Sequence, residues 1–326
     1  MKTNDLLEIK SLTKTFASRG LMKRKEIVAV DGVSFSLSAE KPIILTLAGE
    51  SGSGKTTTAR LILGFIKPTS GKIMYNGKDI WEMDPTEWKE YRREIQAIFQ
   101  DPYAAFNPVH KIDRALSLPI RKFNLANSKA EEKELIFKAL KDTDLKADEI
   151  LGKYPHELSG GQRQRVMVSR AFLLKPKVVI ADEPVSMIDT SLRANILNLM
   201  LELKEKLGIS FLYITHDLST ARYISDEILI MYLGSIMEMG PINEVVINPL
   251  HPYVQLLIHS IPKPDPDERW EKRIDLSTIE LDSLSTTYGK GCKFYPRCPS
   301  RMEKCKMKIP ELVEESNRRV ACFLYD

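Results

Sequence analysis

Residues 49–56, with the sequence GESGSGKT, match the pattern G-x-x-x-x-G-K-T in full and constrain the fold more than any other segment. The apolar run before them, residues 43–48, predicts a buried parallel strand, and the run that starts at Lys55 predicts a helix. A glycine-rich turn in this setting lets backbone N–H groups approach phosphate oxygens closely. The segment therefore predicts an α/β fold with a nucleotide-phosphate loop, here called the P-loop. The flanking strand and helix disfavour the alternative, a glycine turn with a chance lysine.

The P-loop residues have distinct expected roles. Lys55 is expected to reach the β- and γ-phosphates, and the Thr56 hydroxyl is expected to bind Mg²⁺. Each charge-assisted hydrogen bond contributes roughly 1.5–3 kcal/mol, so several of them suffice to hold a triphosphate. The residues predicted to contact the nucleotide in this segment are Gly49, Glu50, Ser51, Gly52, Ser53, Gly54, Lys55, Thr56 and Thr57.

An acidic pair, Asp182 and Glu183, closes a second apolar run at residues 178–181. A carboxylate at the end of a strand beside the P-loop strand can hold Mg²⁺, so Asp182 is a candidate metal ligand. The next carboxylate can take a proton from an attacking water, which makes Glu183 the candidate general base. A solvent-facing strand end would be the better interpretation if this pair stood alone, without a P-loop in the same chain.

Residues 158–162, with the sequence LSGGQ, predict a second anion site. Ser159 is a good N-cap, and the glycines after it allow a ligand to approach the start of the helix predicted from Gln162. One nucleotide at the P-loop does not need this second site. The simplest explanation is a dimer in which the serine-glycine helix start of each chain faces the γ-phosphate bound by the other chain.

The order of these motifs resembles that of the ATP-binding-cassette (ABC) ATPases over roughly residues 6–245. The resemblance implies ATP as the nucleotide, with Ser159, Gly160, Gly161 and Gln162 as the segment that contacts it from the second chain. It also implies that Phe16 stacks on adenine, that Gln100 senses Mg²⁺ and the attacking water, and that Asp189 lies in the loop that crosses the dimer interface. His216 would contact the γ-phosphate and steady Glu183. The implied fold is a P-loop NTPase core with an antiparallel β subdomain and a helical signature subdomain at about 101–158.

Part of this helical region carries a second expectation. Residues 128–131 form the pattern of a capping box, and Leu135, Ile136, Ala139 and Leu140 give an apolar helix face. In the family that the chain resembles, the surface near the glutamine loop docks a helix of a membrane permease. Tyr103 and Phe106 are candidate anchors for it, although a proline-rigid loop packed on its own core is an equally good interpretation.

Composition limits the class of protein. A length of 326 residues suggests about two domains, and the formal net charge of +4 is mild. The sequence contains no run of 18 apolar residues, and the polar first residues do not resemble a signal peptide. These features predict a protein that is either soluble and cytoplasmic or peripheral, reaching the cytoplasmic face of the membrane through a partner.

All four cysteines follow a proline-rich stretch at 261–266 that predicts a domain boundary, with one domain at 1–260 and another at 261–326. The spacing C-x5-C-x6-C-x16-C leaves several interpretations open. Disulfides are disfavoured in a cytoplasmic protein, a zinc site usually has a closer cysteine pair, and a [4Fe–4S] cluster tolerates wide spacing. Residues 290–308 contain seven basic residues and one acidic residue, a field expected to lower thiol pKa values. Incidental thiols on a basic surface are the remaining alternative.

The cysteine region resembles the C-terminal extension of the ATP-binding subunits of dipeptide and oligopeptide importers. The segment 291–299, GCKFYPRCP, carries this resemblance together with residues 154–157, YPHE, and 251–253, HPY. The resemblance implies a [4Fe–4S] cluster, with Zn²⁺ as the alternative, on Cys292, Cys298, Cys305 and Cys322. Lys293 departs from the family pattern, in which proline is common after the first cysteine.

The sequence therefore predicts an ATPase subunit of an importer for dipeptides or oligopeptides, or for oligosaccharides. Its catalytic residues would be Glu183, His216, Lys55 and Gln100, and its Mg²⁺ site would involve Thr56, Gln100 and Asp182. The expected partners are a second identical or paralogous ATPase subunit, two permease subunits and, indirectly, an extracytoplasmic solute-binding protein. Two alternatives stay open: a soluble cassette ATPase that acts on nucleic acid, and an electron-transfer module in the tail.

Overall fold

Two β-sheets and a set of helices form the computed structural model, which describes residues 5–19, 24–101, 105–186, 188, 190–260 and 291–326. The strands are β1 (Asp5–Arg19), β2 (Arg24–Ser38), β3 (Ile44–Ala48), β4 (Ser70–Tyr75), β5 (Lys78–Asp79), β6 (Ile95–Ile98), β7 (Val178–Asp182), β8 (Ser210–Thr215), β9 (Glu227–Tyr232), β10 (Ser235–Pro241), β11 (Val313–Glu315) and β12 (Arg318–Val320). The helices are α1 (Lys55–Ile62), α2 (Pro85–Glu94), α3 (Ile112–Lys122), α4 (Lys129–Asp142), α5 (Ala147–Ile150), α6 (Gly160–Phe172), α7 (Thr190–Leu207), α8 (Leu218–Ile224), α9 (Ile242–Ile247), α10 (Pro252–His259) and α11 (Glu303–Met307).

The larger sheet places the P-loop strand among parallel neighbours. Its strand order is β11-β12-β10-β9-β3-β8-β7-β6, and β3 is parallel to both β8 and β9. All residues of β3 and β8 are buried, as expected for strands covered on both faces. The carboxyl ends of β3, β7 and β8 therefore meet at one edge, where a ligand site of an open α/β sheet is expected.

The smaller sheet is antiparallel, with the order β2-β1-β4-β5. Apolar residues of β1, β2 and β4 share a core with one face of the larger sheet. The opposite face packs against a second apolar core that contains residues of α3, α4, α6 and α7. The larger sheet thus separates an antiparallel β layer from a helical layer, which is the arrangement that the sequence predicted.

Details of the helical region differ from expectation. Ser128 caps α4, and its Oγ accepts a hydrogen bond from the Glu131 N–H at 3.1 Å. The Glu131 carboxylate bonds instead to the N–H of Asn127, at 2.7 Å, so the predicted reciprocal capping box does not form. Phe106 is buried in the helical core, and the prediction that it anchors a partner was therefore wrong. Tyr103 lies outside the described residues.

The C-terminal segment extends the larger sheet. Strand β12 pairs antiparallel with β10, and β11 then pairs with β12. The proposed boundary at 260/261 borders a stretch outside the described residues, so a separate C-terminal domain stays a prediction. No helix within the described ranges has the length and apolar character needed to cross a bilayer.

Candidate functional site

The P-loop connects the end of β3 to the start of α1, as the sequence predicted. Gly49 has φ +144° and Gly54 has φ +104°, values that side chains other than glycine rarely adopt. A Cβ at Gly49 would lie 2.1 Å from the backbone oxygen of Met231, and one at Gly54 would lie 2.3 Å from that of Ala29. Both positions require glycine because the loop is packed against neighbouring backbone.

Lys55 lies inside this loop and is only 7% exposed. Its Nζ donates hydrogen bonds to the carbonyl oxygens of Gly49 and Glu50, each at 2.8 Å. Burial lowers the pKa of Lys55, and the carboxylates of Glu183, Asp182 and Glu50 oppose that shift. The side chain is thus held at the centre of the loop, where it can meet an incoming phosphate.

The acidic pair lies at the end of β7, beside the P-loop. Asp182 accepts a hydrogen bond from the Thr56 hydroxyl, and burial raises the pKa of the Asp182 carboxyl. Thr56 and Asp182 are two of the three residues predicted to hold Mg²⁺, the third being Gln100, and the structure brings these two together. A bound cation would offset the desolvation of the Asp182 carboxylate.

Glu183 adopts a left-handed backbone conformation, with φ +46°. Its N–H donates to the Ile214 carbonyl at 2.9 Å, which ties the turn to the end of β8. The Glu183 Oε1 lies 2.8 Å from His216 Nδ1, and Oε2 accepts a hydrogen bond from Gln100 Nε2 at 3.0 Å. Three residues from separate strand ends, Glu183, Gln100 and His216, therefore converge; of these contacts, the resemblance had implied only the one between His216 and Glu183.

These groups border one cavity of about 510 Å³, a volume within the usual range for ligand pockets. It is lined by Ala29, Ser51, Gly52, Gly54, Lys55, Thr56, Thr57, Gln100, Glu183 and His216. Phe16 lies on β1 with its ring 42% exposed and the Nζ of Lys14 5.3 Å from the ring centroid. The ring does not line the cavity, and its stacking on a base stays a prediction.

The LSGGQ segment forms the start of α6. The Ser159 Oγ accepts a hydrogen bond from the Gln162 N–H at 3.2 Å, and Gln162 Oε1 accepts one from the Ser159 N–H at 3.0 Å. This reciprocal cap orders the helix start. None of Ser159, Gly160, Gly161 and Gln162 lines the P-loop cavity of the same chain. The separation is what a shared, two-chain site requires.

Comparison with known proteins agrees with this geometry. The family model of the ABC transporter matches residues 30–186, and that of the oligopeptide/dipeptide transporter C-terminal region matches residues 237–305. The dipeptide transport ATP-binding protein DppF of Escherichia coli is 41% identical over 98% of this chain and 95% of its own length. The chain belongs to the ATP-binding proteins of the ABC transporter family.

Further relatives support the assignment. The oligopeptide transport ATP-binding protein AppF of Bacillus subtilis is 41% identical over 98% of this chain and 97% of its own length. A dimeric structure of the ATP-binding cassette MJ0796, in a post-hydrolysis state with ADP and Pi, is 28% identical with a TM-score of 0.64. It covers 72% of this chain, and this chain covers 98% of it. The chain is thus an ABC ATPase, and the alternative of a nucleic-acid ATPase is not supported.

Two elements of the ABC site need separate comment. Asp189, predicted to lie at the dimer interface, is outside the described residues. Sequence reasoning missed two contacts to the P-loop residue Glu50, which come from Tyr253 and Arg297 in the C-terminal part of the chain. The HPY motif and the basic cluster marked those regions, but nothing in the sequence related them to the P-loop.

The four cysteines, Cys292, Cys298, Cys305 and Cys322, are all free thiols that line one narrow cavity of about 10 Å³. That volume suits about one water molecule, so a [4Fe–4S] cluster does not fit without local opening. Within the described ranges, no group of three or more His, Cys, Asp or Glu residues could hold a metal ion. The predicted iron–sulfur cluster and its zinc alternative are therefore not supported by this geometry.

The prediction that nearby basic residues lower the thiol pKa values is wrong for three of the four cysteines. Burial raises the pKa of Cys292 to about 11 and raises the pKa values of Cys298 and Cys322. Nearby basic residues were expected to lower these pKa values, but desolvation of the thiolate outweighs their effect because the sulfur atoms face inward.

Proposed function

We propose that this ABC ATPase energises the import of dipeptides or oligopeptides from the cytoplasmic face of the membrane. The observation that carries the proposal is a match to the peptide-transporter C-terminal region that begins in β10, a strand of the sheet that bears the P-loop site. Relatives named for dipeptide and oligopeptide transport match nearly the whole chain, which supports peptides over oligosaccharides as the solute.

Within one chain, each residue of the site has a role in hydrolysis. The P-loop N–H groups and Lys55 bind the triphosphate, and Thr56 with Asp182 would hold Mg²⁺, which neutralises charge on the phosphates. Glu183 takes a proton from the attacking water, while Gln100 and His216 fix the direction of its carboxylate. The contacts of Glu183 with both neighbours support this division of roles.

A second ATPase chain would complete the site. Ser159, Gly160, Gly161 and Gln162 would approach the γ-phosphate bound by the partner chain, and Asp189 would lie at the interface. The ordered N-terminus of α6 supports this proposal because a helix start with free N–H groups favours an anion.

Two permease subunits are the proposed membrane partners, with an extracytoplasmic solute-binding protein acting through them. Phe65 and Phe99 are 58% and 39% exposed, and their rings stack with centroids 6.3 Å apart. Phe99 directly precedes Gln100, so a permease helix that covers these rings would lie next to the catalytic glutamine. Movement at this surface would then reach the nucleotide.

Reconstitution with the co-purifying permease tests the proposed function. We expect a dipeptide or oligopeptide, presented with its binding protein, to accelerate ATP hydrolysis in vesicles. Hydrolysis that responds to an oligosaccharide but to no peptide would contradict the proposed solute. Hydrolysis that responds to DNA or RNA instead would contradict the importer assignment.

We also propose that the four cysteines can bind a metal centre after local opening of their cavity. The donor set supports this: all four cysteines are free thiols that line the same narrow cavity. A [4Fe–4S] cluster uses four thiolates of this kind, and Zn²⁺ is the alternative. The thiolates would only hold the metal, and no step of ATP hydrolysis passes through it.

Cys298→Ser is expected to remove bound iron and acid-labile sulfide from the purified full chain, because one of four ligands is lost. Metal and sulfide analysis of the anaerobically purified protein, with nucleotide binding measured in parallel, checks this. Stoichiometric zinc without sulfide in the unaltered chain would reject iron, and no metal at all would reject both centres.

A further inference from the structure

An ion pair connects the P-loop to the C-terminal segment of the chain. Arg297 Nη1 lies 3.0 Å from Glu50 Oε2, and Arg297 Nη2 lies 3.0 Å from Glu50 Oε1. This bidentate (two-pronged) contact is the strongest geometry available to an arginine and a carboxylate. Glu50 is the second residue of the P-loop, so the C-terminal segment holds the phosphate loop directly.

The same P-loop residue is held through its main chain. The Glu50 N–H donates a hydrogen bond to the Tyr253 hydroxyl at 3.1 Å. The Tyr253 ring packs on Tyr232 and Phe294, with centroids 4.6 and 5.4 Å away. The guanidinium carbon of Arg297 lies 5.7 Å from the ring centroids of both Tyr232 and Phe294. An aromatic cluster thus supports both contacts to Glu50, and its packing limits their movement.

Lys293 provides a second connection, four residues before Arg297. Its Nζ forms an ion pair with Asp31 at 2.9 Å and donates hydrogen bonds to the Leu233 carbonyl and the Ser235 Oγ. Between those two residues, the Gly234 N–H donates to the Ser53 carbonyl of the P-loop at 2.9 Å. The segment that contains Lys293 and Arg297 therefore contacts the loop through two routes.

The charges around Glu50 indicate how Arg297 would affect nucleotide binding. The Glu50 carboxylate interacts with Lys55, the residue expected to meet the β- and γ-phosphates. Without a counter-ion, that carboxylate would compete with the phosphates for Lys55 and would repel them. Arg297 neutralises the Glu50 carboxylate and restricts the rotation of the Glu50 side chain.

We propose that Arg297 is a positioning residue for ATP binding, which neutralises Glu50 and holds the P-loop in its nucleotide-ready form. The inference rests on the proposed ATP site and extends it to a segment more than 200 residues away in sequence. Arg297 does not line the P-loop cavity. Arg297 acts through Glu50, so its substitution should change the affinity for nucleotide rather than the rate of the chemical step.

The test compares Arg297→Gln with Glu50→Gln and with the double variant in the full chain. A hydrogen-bonded charge pair contributes enough that Arg297→Gln should raise the Kd and KM for ATP by about tenfold, with kcat nearly unchanged. Adding Glu50→Gln removes the unpaired carboxylate and should restore most of the affinity. Arg297→Lys should restore part of it, because the charge returns without the two-pronged geometry.

Arg121→Gln is the matched control, since Arg121 forms the same two-pronged contact with Glu132 on α3 and α4, away from the P-loop. It should leave the Kd for ATP unchanged. A wild-type Kd for Arg297→Gln would overturn the inference, as would an affinity that the double variant fails to restore. Lys55→Ala distinguishes a failure of the Arg297 inference from a failure of the proposed ATP site. If Lys55→Ala retains ATP affinity, the proposed ATP site itself is wrong.

Discussion

Glu183→Gln is expected to lower the turnover of ATP by roughly 10²–10⁴-fold while ATP binding is retained. The reason is geometric: His216 Nδ1 and Gln100 Nε2 hold the two carboxylate oxygens, at 2.8 and 3.0 Å, next to the P-loop cavity. An amide of the same shape can keep one of these contacts but cannot accept a proton from water. Steady-state hydrolysis and nucleotide binding, measured on the same preparation, check both halves of the expectation.

A control for this variant should remove a glutamate that is not near the cavity. Glu202→Gln serves, since Glu202 forms an exposed ion pair with Lys206 on α7 at 2.8 Å. Exposed pairs of this kind contribute little, so turnover should stay near the wild-type value. If Glu183→Gln also turned over ATP at the wild-type rate, another group would have to be the base.

Arg318→Met is expected to lower the free energy of unfolding by about 3–5 kcal/mol, because it leaves a buried carboxylate without its counter-ion. Glu238 is fully buried in β10, and the Nη1 of Arg318 on β12 lies 3.5 Å from its Oε1. The backbone N–H groups of Leu250 and His251 also donate to this carboxylate. Denaturant unfolding of the full chain, with the midpoint and slope compared, measures the loss.

The neighbouring residue provides a matched control. Arg319 lies on the same strand and faces Met239 in the pairing with β10, so Arg319→Met should change stability little. Combining Arg318→Met with Glu238→Gln should recover part of the lost stability, since the unpaired charge is removed while the hydrogen bonds from Arg318 to the Glu244 and Asn248 carbonyls stay lost. A single Arg318→Met variant as stable as the wild type would show that this ion pair does not join the C-terminal strands to the cassette.

The site could be predicted from sequence where its determinants are local. The strand, turn and helix around the P-loop are contiguous, and the pattern of glycines and Lys55 carries its own geometry. The placement of His216 beside Glu183 came from the resemblance to a known family. Resemblance to a known family, rather than any local pattern, identified Gln100.

The features that the sequence did not predict depend on contacts between distant parts of the chain. Strand β12 has three residues, too few for an alternating pattern, and its pairing with β10 is visible only in the fold. Arg297 and Glu50 are far apart in sequence, and their charges alone did not suggest a pair. The cysteine pKa values were mispredicted for the same reason, because burial is a property of the packed segment and not of nearby letters.

Strand β11 forms one edge of the larger sheet and makes that edge a poor pairing site for strands of other proteins. An edge strand exposes unpaired N–H and C=O groups that can recruit a strand from a neighbouring molecule. Here the edge is only three residues long and carries Glu314 and Glu315, so it offers a short, acidic template. At the high local density of a membrane surface, we expect this design to suppress edge-to-edge aggregation.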